Sequence, residues 1–212
     1  MPPRDEQDFE SRRQQIIDGA LHVFSKKGFE KATNKDIAAA AGIGSPGLIY
    51  HYFKDKSDLF RQVVEERAPV LQLLMSRGEA MMDLPPRQAL MLFADAFIKT
   101  MENRGALPLF KLLLGESLRQ PAVAKMLNSI GPGRGFAFLT RYLAQQMEAG
   151  TLRRMDPGAA TRCFLGPLMI FVLSREVFLQ PDSQTLSPET MVQTAVEIFL
   201  NGMQVSEGDT AS

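Results

Sequence analysis

The chain is short of the features that most often declare a chemistry. It contains a single cysteine, Cys163, so no internal disulfide can form. That thiol lies in the apolar stretch Cys163-Phe164-Leu165 and is expected to be buried and inert. There are two histidines, His22 and His51, and no Ser, Cys and Asp arrangement beside them supplies a nucleophile, its base or a metal cluster. No catalytic residue, no metal and no cofactor is therefore expected. Net charge is missing as well, since 24 Lys+Arg stand against 24 Asp+Glu. No global field will draw in nucleic acid, and any such binding must come from a local patch. Long apolar runs are also lacking. The longest, 164–173, is interrupted by Gly166-Pro167 and falls short of the roughly 20 residues that span a bilayer. The first fifteen residues, MPPRDEQDFESRRQQ, are polar and mixed in charge, unlike a secretory signal. A soluble cytoplasmic protein with no membrane partner is expected. Alternating β-branched residues are absent too, which argues against strands.

What the sequence does have is helical periodicity along nearly its whole length, in a chain of 212 residues that is 45% apolar. A first helix is expected over 10–27, opened by a Ser11–Gln14 capping box and stopped by Lys26-Lys27-Gly28. Thr33 with Asp36 signals a second, short helix that Gly42 closes. Ser45 followed by Pro46 signals a third, and Asp55 before Asp58 a fourth. Longer helices follow: 56–81 with a kink or break at Pro69, 86–103, 107–119, a short piece after Pro121, 136–148 after the breaker GPGRG at 131–135, 157–180 with a kink near Pro167, and 187–203.

Two short helices joined by a tight glycine-containing turn, behind a longer packing helix, form a helix-turn-helix pattern. In that geometry the second short helix enters the DNA major groove while its neighbours hold phosphates. The stretch KKGFEKATNKDIAAAAGIGSPGLIYHYFKDKSDLF, 26–60, strongly resembles the TetR family of transcriptional regulators. It follows that family's Gly-Phe/Tyr, Thr-x-x-Asp-Ile-Ala, Ala-Gly-Ile/Val and Tyr-x-x-Phe-x-x-Lys-x-x-Leu elements in order. One departure stands out: from Gly42 to Tyr50 there is one residue more than in the commonest form of the pattern, with Gly44 or Ser45 extra. A looser turn, or a helix starting one step later, is expected there.

The resemblance implies that Tyr50, Tyr52 and Lys56 face the DNA backbone. Thr33, at a helix start, is expected to cap that helix and to offer its hydroxyl to a phosphate. The expected DNA-facing set is Thr33, Lys35, Ser45, Pro46, Gly47, Tyr50, His51, Tyr52 and Lys56, with Phe53 and Ile49 as core. Between 21 and 56 six lysines oppose three acidic residues, a local excess of three positive charges. Bidentate base reading draws on Arg, Lys, Asn or Gln. The positions 45–48 and Tyr50 hold none of these, so specificity is expected to come largely from DNA shape and half-site spacing.

The C-terminal part offers a broad apolar stripe of Val192, Ala195, Val196, Phe199, Leu200 and Met203, and a preceding helix that is apolar nearly all round. A helix with two apolar faces needs two burying surfaces. Phe171, Val192, Val196, Phe199 and Leu200 are the expected homodimer interface, as the resemblance also implies; a central helix of a monomeric bundle is the alternative. Twelve methionines and fourteen phenylalanines supply soft apolar surface. Phe97, Met101, Phe110, Leu113 and Phe136 are the expected lining of a pocket for a small hydrophobic effector. Arg141, Arg175 and Glu176 would either orient a polar group of that effector or form surface ion pairs.

The expected architecture is thus all-α. An N-terminal three-helix helix-turn-helix domain occupies 1–55, a larger bundle for effector binding and dimerisation occupies 56–205, and 206–212 form a disordered tail. The expected function is a ligand-responsive regulator, a repressor that leaves double-stranded operator DNA when its effector binds. A DNA-binding regulator with no small ligand, and a small helical enzyme acting on a hydrophobic substrate, are the alternatives.

Overall fold

The computed structural model of the chain describes residues 4–103, 106–118 and 120–205, and the tail expected at 206–212 lies outside them. Every regular element among the described residues is helical. In chain order they are α1 (Arg4–Lys31), α2 (Asn34–Ala40), a 3₁₀ helix (Pro46–His51), α3 (Lys56–Arg67), α4 (Pro69–Met82), α5 (Pro86–Glu102), α6 (Ala106–Ser117), α7 (Pro121–Ile130), α8 (Pro132–Glu148), α9 (Pro157–Glu176), α10 (Pro181–Thr185) and α11 (Pro188–Gly202). Eight of these twelve begin with proline. At the first helical position the missing N–H has no partner to lose and the fixed φ suits the helix. The break expected at Pro69 is present: α3 ends at Arg67, Pro69 starts α4, and Ala68 between them is extended (φ −110°, ψ 96°), as a residue preceding proline should be.

Three expected helix boundaries shift with the local chemistry. α1 begins at Arg4, so Ser11 and Gln14 lie inside it and cap nothing. The chain breaks at Gly131 as the GPGRG stretch predicts, but α8 starts at Pro132 and not at 136, and a β-carbon at Gly135 within it would stand 3.3 Å from the Phe93 ring of α5. Residues 177–186 leave the helical path after Glu176, and only five of them re-form a helix, α10.

The chain divides into two compact units, Met1–Ala68 with Asn103–Gly131 and Pro69–Glu102 with Pro132–Ser212. This division differs from a boundary at residue 55, because α3 buries Leu59, Phe60 and Val63 completely in the N-terminal core. α6 and α7 add Leu109, Leu113, Val123 and Ile130 to that same core. The first unit is built around α1, whose Ile16, Ile17, Ala20 and Phe24 have no exposure. Phe24, Phe29 and Phe60 meet one another at 5.1–5.9 Å between ring centres. Arg13 ties α1 to α3 through Glu66 and through Gln62 at 2.6 Å, and Arg67 ties the end of α3 back to Asp18.

In the second unit α4, α5, α8, α9 and α11 form the bundle. Phe93, Phe138 and Tyr142 line up between α5 and α8, with ring centres 6.1 and 6.3 Å apart. The Tyr142 hydroxyl donates to the Leu84 carbonyl at 2.7 Å, and burial pushes its pKa up to about 12. α9 is the one described helix that length and composition would allow to cross a bilayer. One of its faces is buried by Ala160, Thr161, Phe164, Leu168 and Phe171, with Thr161 bonded to Thr140 of α8 at 3.1 Å and Phe164 5.2 Å from Phe199 of α11.

Candidate nucleic-acid interface

The site begins where α2 is locked to α1. Thr33 is extended and accepts from the Asp36 amide at 3.1 Å, while its own amide donates back to the Asp36 carboxylate at 3.2 Å. Lys27, near the end of α1, reaches the same carboxylate at 2.7 Å. The Lys27 ammonium, with the Thr33 hydroxyl and amide, holds the Asp36 carboxyl down to about 2. The Thr33 hydroxyl donates its proton to Asp36 at 2.8 Å, so it is engaged in the cap and is not free for a phosphate. On the inner side Ile37 and Ala38 are buried, and a β-carbon at Gly19 of α1 would stand 2.7 Å from the Ala41 nitrogen. The two backbones therefore touch, and nothing larger than glycine fits between them.

Gly42 closes α2 at φ +64°, a left-handed conformation that glycine adopts without strain. The turn then runs through the buried Ile43 to an exposed Gly44 whose β-position meets nothing. Ser45 caps the next element by accepting from the Gly47 amide at 3.2 Å, and Pro46 starts it. That element is a 3₁₀ helix and not an α-helix. Ile49 (1% exposed) faces inward on it and Tyr50 (60% exposed) outward. Phe53, at 2% exposure, seals the core beneath it.

The structure sorts the expected DNA-facing residues into distinct groups. Lys35, Ser45, Pro46, Gly47, Tyr50 and His51 are all exposed. Tyr52 is half-buried and packs on Phe9 of α1, with ring centres 4.6 Å apart, so its ring serves the junction with α1. Lys56 differs from expectation most. Its ammonium donates to the carbonyls of Phe29, Ala32 and Glu30 at 3.0, 3.2 and 3.4 Å and lies 4.6 Å from the Phe29 ring centre. A helix leaves its last four carbonyls without intrahelical partners. Lys56 serves such carbonyls from outside, on the short stretch 29–32 that follows the non-helical Gly28 (φ +78°), and its donors are occupied. Two participants lie outside the expected set: Lys27, and Asn34, whose amide donates to the Tyr50 hydroxyl at 2.8 Å. The Asp36 capping signal points to the first region; no sequence signal pairs residues 34 and 50.

The expected effector and dimer residues are also redistributed. Phe97, Met101 and Phe136 belong to the second unit and are half-buried, with the Arg162 guanidinium 4.5 Å from the Phe136 ring centre. Phe110 and Leu113 belong to the first unit, where Leu113 is a core residue at 2% exposure. Of the expected interface, Phe171, Val192 and Val196 are buried within their own bundle, and Phe199 and Leu200 are half-buried. Periodicity selects the most apolar stripe, and that stripe faces the helix's own core. The outward stripe carries Cys163, Pro167 and Ile170 on α9 and Ile198 on α11, and Cys163, Pro167 and Ile198 line a groove of about 400 Å³. Cys163 is thus exposed, not buried. Arg141 pairs with Glu79 and Arg175 with Glu176, both within the second unit.

A long packing helix, a capped short helix, a glycine turn and a second short helix with an outward tyrosine define a helix-turn-helix DNA-binding protein. Residues 16–63 match the family of bacterial regulatory proteins of the tetR type, and residues 88–202 match the C-terminal domain of AefR-like transcriptional repressors. The second match alone covers more than half of the chain, which belongs to the TetR family of DNA-binding transcriptional repressors. Among curated proteins it is 28% identical to the HTH-type transcriptional repressor Rv1474c of Mycobacterium tuberculosis, over 82% of this chain and 87% of that one. In fold it is similar to FadR from Bacillus subtilis, solved in complex with stearoyl-CoA, with a TM-score of 0.65 at 22% identity over 90% of this chain and 99% of that one. The TetR-family regulator PfmR from Thermus thermophilus gives 0.58 at 24% identity, over 90% and 99% of the two chains.

Proposed function

We propose that this repressor binds its operator as a homodimer and leaves it when a small hydrophobic effector enters the helical bundle of the second unit. The observation that carries the release mechanism is that α6 and α7 share one core with the DNA-reading helices. α6 follows the effector-facing α5 in the chain, so a shift of α5 that draws α6 with it also moves part of the head's own packing, through Leu109 and Leu113 against α1. A coupling on the order of 1–3 kcal/mol, typical for such linkage, shifts operator affinity roughly 5- to 150-fold. Phe97, Met101 and Phe136 are the effector-facing candidates in the second unit. An acyl chain is the first ligand class to try, because the fold neighbour FadR was solved with stearoyl-CoA.

On the DNA side, Tyr50 donates to a phosphate, Lys35 supplies charge, and Ser45, Pro46, Gly47 and His51 lie at the groove. Dimerisation uses the outward stripe of Cys163, Pro167, Ile170 and Ile198, which a second copy related by a two-fold axis would cover. The test selects a duplex from a randomised pool with the wild-type protein and measures binding to it by anisotropy, with and without acyl-CoA of several chain lengths. Weakening that rises with chain length supports the reading. Affinity unchanged by acyl-CoA that calorimetry shows to be bound would refute it.

A further inference from the structure

We infer that Asn34 is a positioning residue for DNA binding, acting through Tyr50. This rests on the reading above in which the Tyr50 hydroxyl donates to the DNA backbone. Tyr50 is 60% exposed, and among the described residues no aromatic ring packs against it. Its backbone is fixed by the buried Ile49 beside it, yet a phenol at the end of two torsions can still sweep across solvent. What meets the hydroxyl is the Asn34 amide, donating at 2.8 Å across sixteen residues of sequence.

Both ends of that bond are held. Asn34 is the first residue of α2, and the Thr33–Asp36 capping box with Lys27 fixes the backbone on either side of it. The bond therefore ties α2 directly to the 3₁₀ helix, spanning the glycine-containing turn between them. It closes at the outer edge a turn whose inner side is already held by the buried Ile43 and Ile49.

The direction of the bond gives it its chemical consequence. A phenol carries one proton and accepts through its lone pairs. With Asn34 donating to the oxygen, the phenol's own proton is left for an acceptor outside the protein. A donor already accepting a hydrogen bond is polarised and donates more strongly. Asn34 thus both restrains the ring and prepares its proton for a phosphate oxygen.

The experiment is a double-mutant cycle on the pool-selected duplex, with affinity read by anisotropy and stability by urea unfolding. Tyr50→Phe should weaken binding on the order of tenfold, and Asn34→Ala about fivefold, the scale of single hydrogen bonds. The double variant should bind no more weakly than Tyr50→Phe alone, because Asn34 acts only through the hydroxyl that Tyr50→Phe removes. Asn34→Gln, which keeps an amide donor, should recover part of the loss. The urea midpoint and the salt dependence should match wild type, since neither side chain is charged or core.

Losses that multiply in the double variant, an Asn34→Ala protein that binds as tightly as wild type, or a loss of affinity accompanied by an equal loss of stability would each overturn the inference. If Tyr50→Phe itself binds like wild type, the phosphate contact fails as well. If Tyr50→Phe weakens binding and Asn34→Ala does not, only the role of Asn34 fails.

Discussion

Methionine in place of Lys56 keeps a side chain of similar length and removes its ammonium. The ammonium donates to three carbonyls at the end of α1 and sits against the Phe29 ring. A hydrogen bond from a charged group contributes about 1.5–3 kcal/mol net, and a cation over an aromatic ring about 0.5–1 kcal/mol at an exposed site. These contributions are not additive, because one ammonium shares its protons among three acceptors and is half-buried. About 2 kcal/mol is a reasonable total for Lys56→Met. With a urea slope of about 2 kcal/mol per molar, the midpoint falls by about 1 M. The same variant separates two roles for this lysine. A lysine that neutralises a phosphate contributes about 0.9 to the slope of log affinity against log salt. Lys56, engaged with α1, should leave that slope unchanged when measured without denaturant. A salt slope reduced by about 0.9 per protomer, with the urea midpoint unmoved, would refute the reasoning and return Lys56 to the DNA.

Other perturbations follow from the same packing and charges. Gly19→Ala places a methyl against the Ala41 backbone. It should cost about 1–3 kcal/mol by overpacking, despite a gain of up to about 1 kcal/mol in helix propensity, as a lowered urea midpoint would show. Lys35→Ala, at an exposed position, should reduce the salt slope by about 0.9 per protomer and weaken all duplexes alike, as titrations at several salt concentrations would reveal. Asp36 has a folded-state pKa depressed from 3.8 to about 2, so its stabilising contribution is full above about pH 4 and is lost as pH falls through about 2. Asp36→Asn should remove that part of the acid dependence, read from the unfolding midpoint between about pH 2 and 5. Ile198→Glu, on the outward stripe at 69% exposure, should shift the protein to a 23.5 kDa species in sedimentation while leaving its helix content intact.

Much of the reading head is legible in the sequence because its punctuation is local. Thr33 with Asp36, Gly42, Ser45 with Pro46, and Asp55 each act on backbone groups within three residues, and each takes the role its chemistry dictates. Tertiary contacts are not legible in that way. Nothing in the spacing of 29 and 56 announces that one residue will cap the helix containing the other, and Asn34 finds Tyr50 only once the turn has closed. Prolines mark starts as well as stops: the expected breaks at Pro69 and in GPGRG are present, and most of these helices open on a proline. The stripe of α11 is apolar as its spacing indicates, but its buried face belongs to its own bundle and the interface candidates lie beside it. Cys163 shows the same limit, because an apolar neighbourhood in sequence says little about which face of a helix a residue occupies.

The discontinuous make-up of the first unit bears on how such a regulator could be re-engineered. A graft that transplants residues 1–68 alone would leave behind Leu109, Leu113, Val123 and Ile130, and with them part of the floor on which α1 rests. A chimera meant to give this operator specificity to a different sensor must therefore carry two segments and be spliced at three points. Evolution faces the same restriction: recombination at a single breakpoint after α3 would deliver an intact reading surface on an incomplete foundation.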